Sequence, residues 1–293
     1  MRILIATDGS ENAKEALNFS AQIVRRSDDK PIILTVVKKE ADRPQVDGIL
    51  ARAEEILSKE TRNYETKVRT GHPAEEIICE AEQGAYDLVI VGEGKHRALL
   101  TRFHLGSTAL RVAENSPASV IIVKGKARPV DRILLCDSGA GRTSLLSRFT
   151  LQLAEILEGQ EEITVLHVMS QMSAGPGVDG QHLRADAQAL IESYAPEGDL
   201  LRQDIQTLSR EGIHTTPKVR HGLVLDEILE ESQTGDYDLV VIGAYQSEGW
   251  QRLLLEDQAR KIMTQLDRPV LVVRGLTNLK RKRNNYVHLH KKV

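Results

Sequence analysis

The chain has 293 residues, 41% apolar and 28% charged, which is enough for two ordinary domains with a core each. Its net charge is −3, yet the tail 276–293 carries Lys280, Arg281, Lys282, Arg283, Lys291 and Lys292 with no acid, so the body before it is more acidic still. An acidic body with only 3% aromatic residues argues against a general nucleic-acid binder and against base-stacking platforms.

Cys79 and Cys136 both stand in apolar surroundings, which suggests neither a disulfide scaffold nor a zinc site and fits a reducing compartment. The opening MRILIATDGS enters a strand without a signal-peptide pattern, and no apolar run is long enough to cross a bilayer. The expectation is a cytoplasmic protein with no membrane partner. The basic tail reads as a solvated terminus that could touch RNA, an acidic partner or a membrane surface.

Arg2 to Thr7 is nearly all apolar, as a strand buried on both faces of a parallel sheet would be. Asp8-Gly9-Ser10 turns the chain, and Ala13 to Val24 has helical spacing. Ile32 to Val37 reads as the second strand. After a loop with Pro44, Ile49 to Leu57 reads as a helix and Tyr64 to Thr70 as a shorter, more exposed strand. Ala74 to Ala81 is the third helical segment. A closing unit then runs as strand (Leu88–Val91), Gly-bearing loop, helix opened by Gly106-Ser107-Thr108, and strand (Ser119–Val123).

The pattern restarts at Arg132-Ile133-Leu134. Val46-Asp47-Gly48 returns as Val178-Asp179-Gly180, and Glu76-Ile77-Ile78 as Glu227-Ile228-Leu229. Tyr86-Asp87-Leu88-Val89 returns as Tyr237-Asp238-Leu239-Val240, and Val120 to Gly125 as Val270 to Gly275. Matches in one order at so many points indicate a tandem duplication. The expected fold is α/β: two tandem, doubly wound, five-stranded parallel-sheet domains over residues 1–125 and 130–275, followed by the basic tail 276–293. The second domain is longer, and its extra residues fall in 181–212, a helical pattern broken at Pro196-Glu197-Gly198-Asp199 that reads as two helices where the first domain has one.

A doubly wound sheet places ligands at the carboxyl ends of its strands. In the first domain these positions are Ala6, Thr7 and Asp8 after strand one, Val36 and Val37 at the end of strand two, and Gly92 to Thr108 after strand four. Gly92 and Gly94 let backbone approach a phosphate, and Gly106, Ser107 and Thr108 offer N–H groups and hydroxyls at a helix start. Lys95, Arg97 and Arg102, with His96 and His104, make the loop between them basic. In the second domain Glu256-Asp257 stands where Gly-Ser would be, and these carboxylates are expected to cap the helix themselves and repel a triphosphate. Asp137 to Thr143 is Gly-rich but lacks the Lys of a P-loop, and reads as a strand-to-helix turn. No catalytic triad, paired carboxylates in a cleft or metal-ligand spacing stands out, so no catalytic or metal-binding residue is assigned. Asp8 has an alternative role as cap of the helix that begins near Glu11.

The Thr7-Asp8-Gly9-Ser10 strand ending, the two Tyr-Asp-Leu-Val strands and the closing apolar strands resemble the universal stress protein family, and the whole chain resembles a tandem member of it. Some members bind ATP through Gly-x2-Gly-x9-Gly-(Ser/Thr), others do not. The resemblance implies contacts to adenine and ribose from Ala6, Asp8 and Val36, and to phosphate from Gly92 and Gly106 to Thr108. It also implies that Ser119–Val123 and Pro269–Val273 pair across a pseudo-twofold, giving a pseudo-dimeric monomer or a homodimer. The first loop departs from the motif: Lys95 occupies the second-Gly position, Gly106-Ser107 arrives one residue late, and Gly94 stands in.

The resulting expectation is a stress-response regulatory or sensor protein, not an enzyme. It binds ATP, another adenine nucleotide or another phosphorylated ligand in the first domain only, with Mg2+ accompanying the nucleotide. Two other readings stay open: an interaction scaffold of the same fold that contacts its partner through 181–212, and a slow ATP hydrolase. No water-positioning base supports the last.

Overall fold

The computed structural model describes residues 1–61, 63–94, 105–137, 143–157, 161–169, 185–193, 195–209, 212–244 and 250–274. The first half consists of β1 (Ile3–Ala6), α1 (Glu11–Val24), β2 (Ile32–Val37), a 3-10 turn (Glu40–Gln45), α2 (Val46–Leu57), β3 (Glu65–Thr70), α3 (Pro73–Gly84), β4 (Leu88–Gly92), α4 (Ser107–Asn115) and β5 (Ser119–Val123). In the second half follow β6 (Arg132–Asp137), α5 (Thr143–Leu157), β7 (Glu162–Met169), α6 (Ala187–Glu192), α7 (Pro196–Ser209), β8 (Thr215–His221), α8 (Val224–Thr234), β9 (Leu239–Ala244), α9 (Trp250–Gln265) and β10 (Val270–Arg274).

The strands form one sheet in the order β3-β2-β1-β4-β5-β10-β9-β6-β7-β8. Each half is parallel within itself and doubly wound, with the order reversing between β1 and β4 and again between β6 and β9. β1 and β5 are buried at every position because helices cover both faces, whereas the edge strand β3 (ETKVRT) is partly or fully exposed. One apolar layer packs α1, α2, α5 and α7 on the sheet, and the other packs α3, α4, α8 and α9.

The halves meet where β5 and β10 run antiparallel, with Val270 opposite Ile122 and Val272 opposite Val120, so the pairing implied by the resemblance is present. A reciprocal pair of cations reinforces this seam. Lys124 Nζ donates to the carbonyls of Met263 and Leu266, both at 2.6 Å, at the end of α9. Arg274 Nη2 donates to the carbonyl of Ala113 at the end of α4. Each cation satisfies carbonyls that a helix leaves open and meets the negative end of its dipole. Burial pushes the Lys124 ammonium down to about 8, against the pull of Glu93 and Asp267.

The repeated Tyr-Asp motif is scaffold. Tyr86 Oη donates to Glu80 Oε1 at 2.8 Å, and the same buried carboxylate takes Lys67 Nζ at 2.7 Å and Arg69 Nη1 at 2.9 Å. Tyr237, Glu231, Lys218 and Arg220 repeat the arrangement at 2.8, 2.8 and 3.1 Å. Asp87 and Asp238 each accept a backbone N–H at the start of the neighbouring strand, from Arg2 and Arg132. Burial alone would raise the Glu80 and Glu231 carboxyls, but the hydrogen bonds from Lys, Tyr and Arg outweigh it and hold both below the ordinary value.

Three expectations need correction. The inserted helical pattern breaks after Glu192, and Pro196 opens α7 instead of interrupting it, since the first helical position needs no N–H donor. Ser10, not Asp8, caps α1: its side chain accepts from Ala13 N at 3.3 Å, because it sits directly before the first helical residue. Glu256 and Asp257 lie inside α9, which begins at Trp250, and Asp257 pairs with Lys261 one turn on at 2.6 Å instead of capping.

Candidate functional site

The first-half site is assembled at the point where strand order reverses. β1 delivers Ala6, Thr7 and Asp8. Thr7 N–H extends the ladder to Leu34 O at 2.9 Å, and its hydroxyl accepts from Gly9 N at 3.3 Å. Gly9 has φ +74°, and Asp8 Oδ1 accepts from Ser10 N at 2.9 Å, so the carboxylate braces the turn while its residue stays exposed. The strand thus ends in a tight turn that feeds directly into α1.

β4 leaves the sheet beside this turn. A Cβ on Gly92 would stand 2.4 Å from the Asn12 carbonyl oxygen, so only glycine lets the strand end lie against the first turn of α1. Asn12 Nδ2 also donates to the Gly94 carbonyl, and Gly94 takes φ +88°. The loop's two stems close on each other: Gly106 N donates to Glu93 O at 2.7 Å, and a Cβ on Gly106 would lie 2.8 Å from that oxygen and 3.0 Å from Gly94 Cα. Gly106 is then the N-cap of α4 with extended backbone and no side-chain cap, so the first-turn N–H groups, from Ser107 and Thr108 onward, are left for other acceptors. Ser107 is exposed and Thr108 half-buried.

Gly92, Gly94, Gly106, Ser107 and Thr108 therefore come together next to Thr7 and Asp8. Ala6 and half-buried Val36 share the face of the sheet that carries α4. Val37 alternates to the other face, is buried there, and gives its carbonyl to Gly71 N at 2.8 Å, which separates its side chain from the α4 side. Lys95, with the basic loop to His104, lies outside the described residues, as do 138–142 of the second Gly-rich turn and the tail 275–293. Asn12 was missed by sequence reasoning. Its only signal was position, second in the helix that follows the Asp-Gly-Ser turn.

The equivalent place in the second half is built differently. α9 starts well before the residues that match Gly106, so backbone N–H groups there are taken up within the helix. The strand β6 runs one residue further than β1 and ends on Asp137, which matches Thr7; both are buried, but one is a carboxyl and the other a hydroxyl. Among the described residues, no cluster of three or more His, Cys, Asp or Glu could hold a metal ion, and no helix is long and apolar enough to cross a membrane.

An open α/β sheet with a glycine-lined helix N-terminus at its switch point is a doubly wound, Rossmann-like architecture. The Universal stress protein family model matches residues 1–124 and 130–274, and the chain belongs to that family. It is 31% identical over 120 residues to a universal stress protein of Synechocystis, a match covering 41% of this chain and 41% of that protein. The chain therefore spans less than half of that relative. With a universal stress protein of Staphylococcus haemolyticus it shares 26% over 145 residues, covering 44% of this chain and 87% of the relative. The crystal structure of a universal stress protein from Archaeoglobus fulgidus superposes with a TM-score of 0.65 at 17% identity, covering 93% of this chain and 96% of that one, which shows the same fold.

Proposed function

We propose that this chain is a regulatory nucleotide-binding protein that takes one adenine nucleotide, ATP in the first instance, at the first-half site. The observation that carries the reading is the closure of Gly92–Gly94 on Gly106: a cradle that any Cβ would fill, placed at an uncapped helix N-terminus. Gly92, Gly94 and the N–H groups of Ser107 and Thr108 face the phosphates. Ala6, Val36 and Asp8 lie where the family resemblance puts adenine and ribose, and Asp8 is exposed to accept from a sugar hydroxyl. Mg2+ arrives with the nucleotide, and the chain itself contributes binding, not a catalytic base.

The second half is a scaffold in this reading, because α9 runs through the position of the cradle and buried Asp137 replaces Thr7. Calorimetric titration of Mg-ATP into the full chain tests it. One site per chain, weakened about tenfold or more in Gly106→Val, is the expected result. Two sites, or none, would overturn it.

A further inference from the structure

Beneath the end of β6 the second half buries a polar cluster that the first half lacks. Asp204 on α7 is 1% exposed; Ser147 on α5 donates its hydroxyl to Asp204 Oδ1, while Asp204 Oδ2 has no hydrogen-bond partner among the described residues. Asp137, 4% exposed, is the neighbouring carboxyl. His167 lies beside it in register on β7, with Nδ1 3.2 Å from the Asp137 carbonyl oxygen. In the first half the matching positions are apolar or small: Leu17 for Ser147, Ala53 for Asp204, and Thr7 for Asp137, with Leu57 and Leu208 closing both helices in the same register.

Charging Asp204 here is costly, since it is taken from water and set beside a second carboxyl. An acceptor oxygen that meets no donor is relieved by taking up a proton itself. We infer that buried Asp204 keeps its carboxyl proton beside Asp137, and that this proton fastens α7 to the second half, so that docking of the inserted helices tightens as the surroundings acidify. Burial first, and the Asp137 charge second, push the Asp204 carboxyl up to about 8, consistent with that geometry.

The other elements around Asp204 supply no competing counter-charge among the described residues. From α5 comes the Ser147 hydroxyl and from β7 the His167 ring. α6 packs with Ala187 and Leu190, and the cations of β8, Lys218 and Arg220, are engaged by Glu231 beneath α8. On α7 itself, Arg202 is held by Asp199 and the Ile191 carbonyl.

The sign follows from linkage. A carboxyl that keeps its proton up to about 8 when docked, but only to about 3.8 when released, makes docking weaken as pH rises between those values and level off above the higher one. Opening of α7 should rise about tenfold per pH unit over that window. Hydrogen exchange on the full chain from pH 5 to 9 reads this directly. Each amide is corrected for its intrinsic pH dependence, and α2, the apolar counterpart, serves as internal reference. The expected result is a rising α7-to-α2 opening ratio in wild type, a flat ratio in Asp204→Asn and in Asp204→Ala, and an unchanged slope in His167→Gln. A flat wild-type ratio would overturn the inference even if neither Asp204 variant folds. So would a slope that survives in the Asp204 variants, a slope lost in His167→Gln, or full protection of α7 restored at pH 8.5 by added Mg2+ or Ca2+, which would make the pair a cation site.

Discussion

The two halves share their scaffold chemistry and differ at the ends of their first strands. Around Glu80 and Glu231 the same Lys, Arg and Tyr partners recur with nearly the same distances, under edge strands that both lack a buried position. At the ends of β1 and β6, by contrast, one half has a solvent-facing turn beside a glycine cradle, and the other a buried carboxyl pair under an inserted helix. Duplication has preserved what holds each α/β unit together and left the ends of the first strands free to diverge. The lesson is that like folds need not imply like sites.

The largest expected effect tests the shared part. Glu80→Ala and Glu231→Ala should each lose about 2–3 kcal/mol in denaturant unfolding, less than a fully buried pair because Lys67 and Lys218 are half in solvent. Similar losses in the two halves would sharpen the likeness; a loss confined to one would break it. Both carboxyls sit below their ordinary value of 4.5, so their contribution is complete above that pH and fades as pH falls through the lower folded value. Acid unfolding of Glu80→Gln should accordingly be shallower than wild type.

Next comes the difference. Gly106→Val should weaken Mg-ATP binding about tenfold or more, since a clash of this kind costs roughly 1–3 kcal/mol; calorimetry with the folded variant would detect it. A substitution at Glu256, inside α9, should leave ATP binding unchanged.

A smaller effect belongs to the seam. Lys124→Met and Arg274→Met should each cost about 1–2 kcal/mol by leaving helix-end carbonyls unpaired. Because Lys124 is pushed down to about 8 from 10.5, wild-type stability should gain as pH rises from about 8 towards 10.5, and that gain should vanish in Lys124→Met. The least demanding check is alkylation of the native protein. Cys136 is buried and its thiol pushed up by burial, so half-exposed Cys79 should label first.

Much of this was legible in residues that act locally or repeat. Apolar runs at strand length, Asp-Gly-Ser turns and the doubled Tyr-Asp-Leu-Val segments gave the element order and the family. The glycines after β4 pointed to the cradle because backbone approach restricts residue type. Asp204 was not legible: one acid in a helical pattern looks like a solvated face until α5 and β6 are seen to enclose it. Lys124 and Arg274 were hidden for the same reason, as their partners lie far away in the chain. The start of α9 also escaped notice, since its onset is not set by a capping side chain of the usual kind at Glu256-Asp257.

The antiparallel seam between β5 and β10 has an evolutionary corollary. When two identical subunits meet about a twofold axis, every substitution enters the interface twice and must be compatible with its own image. Joining the partners in one polypeptide removes that doubling. Lys could then be kept on one side and Arg on the other, each matched to a different helix end. Once the pairing no longer had to be self-complementary, one unit could retain an open cleft while its twin was recast, without either change being copied into the other.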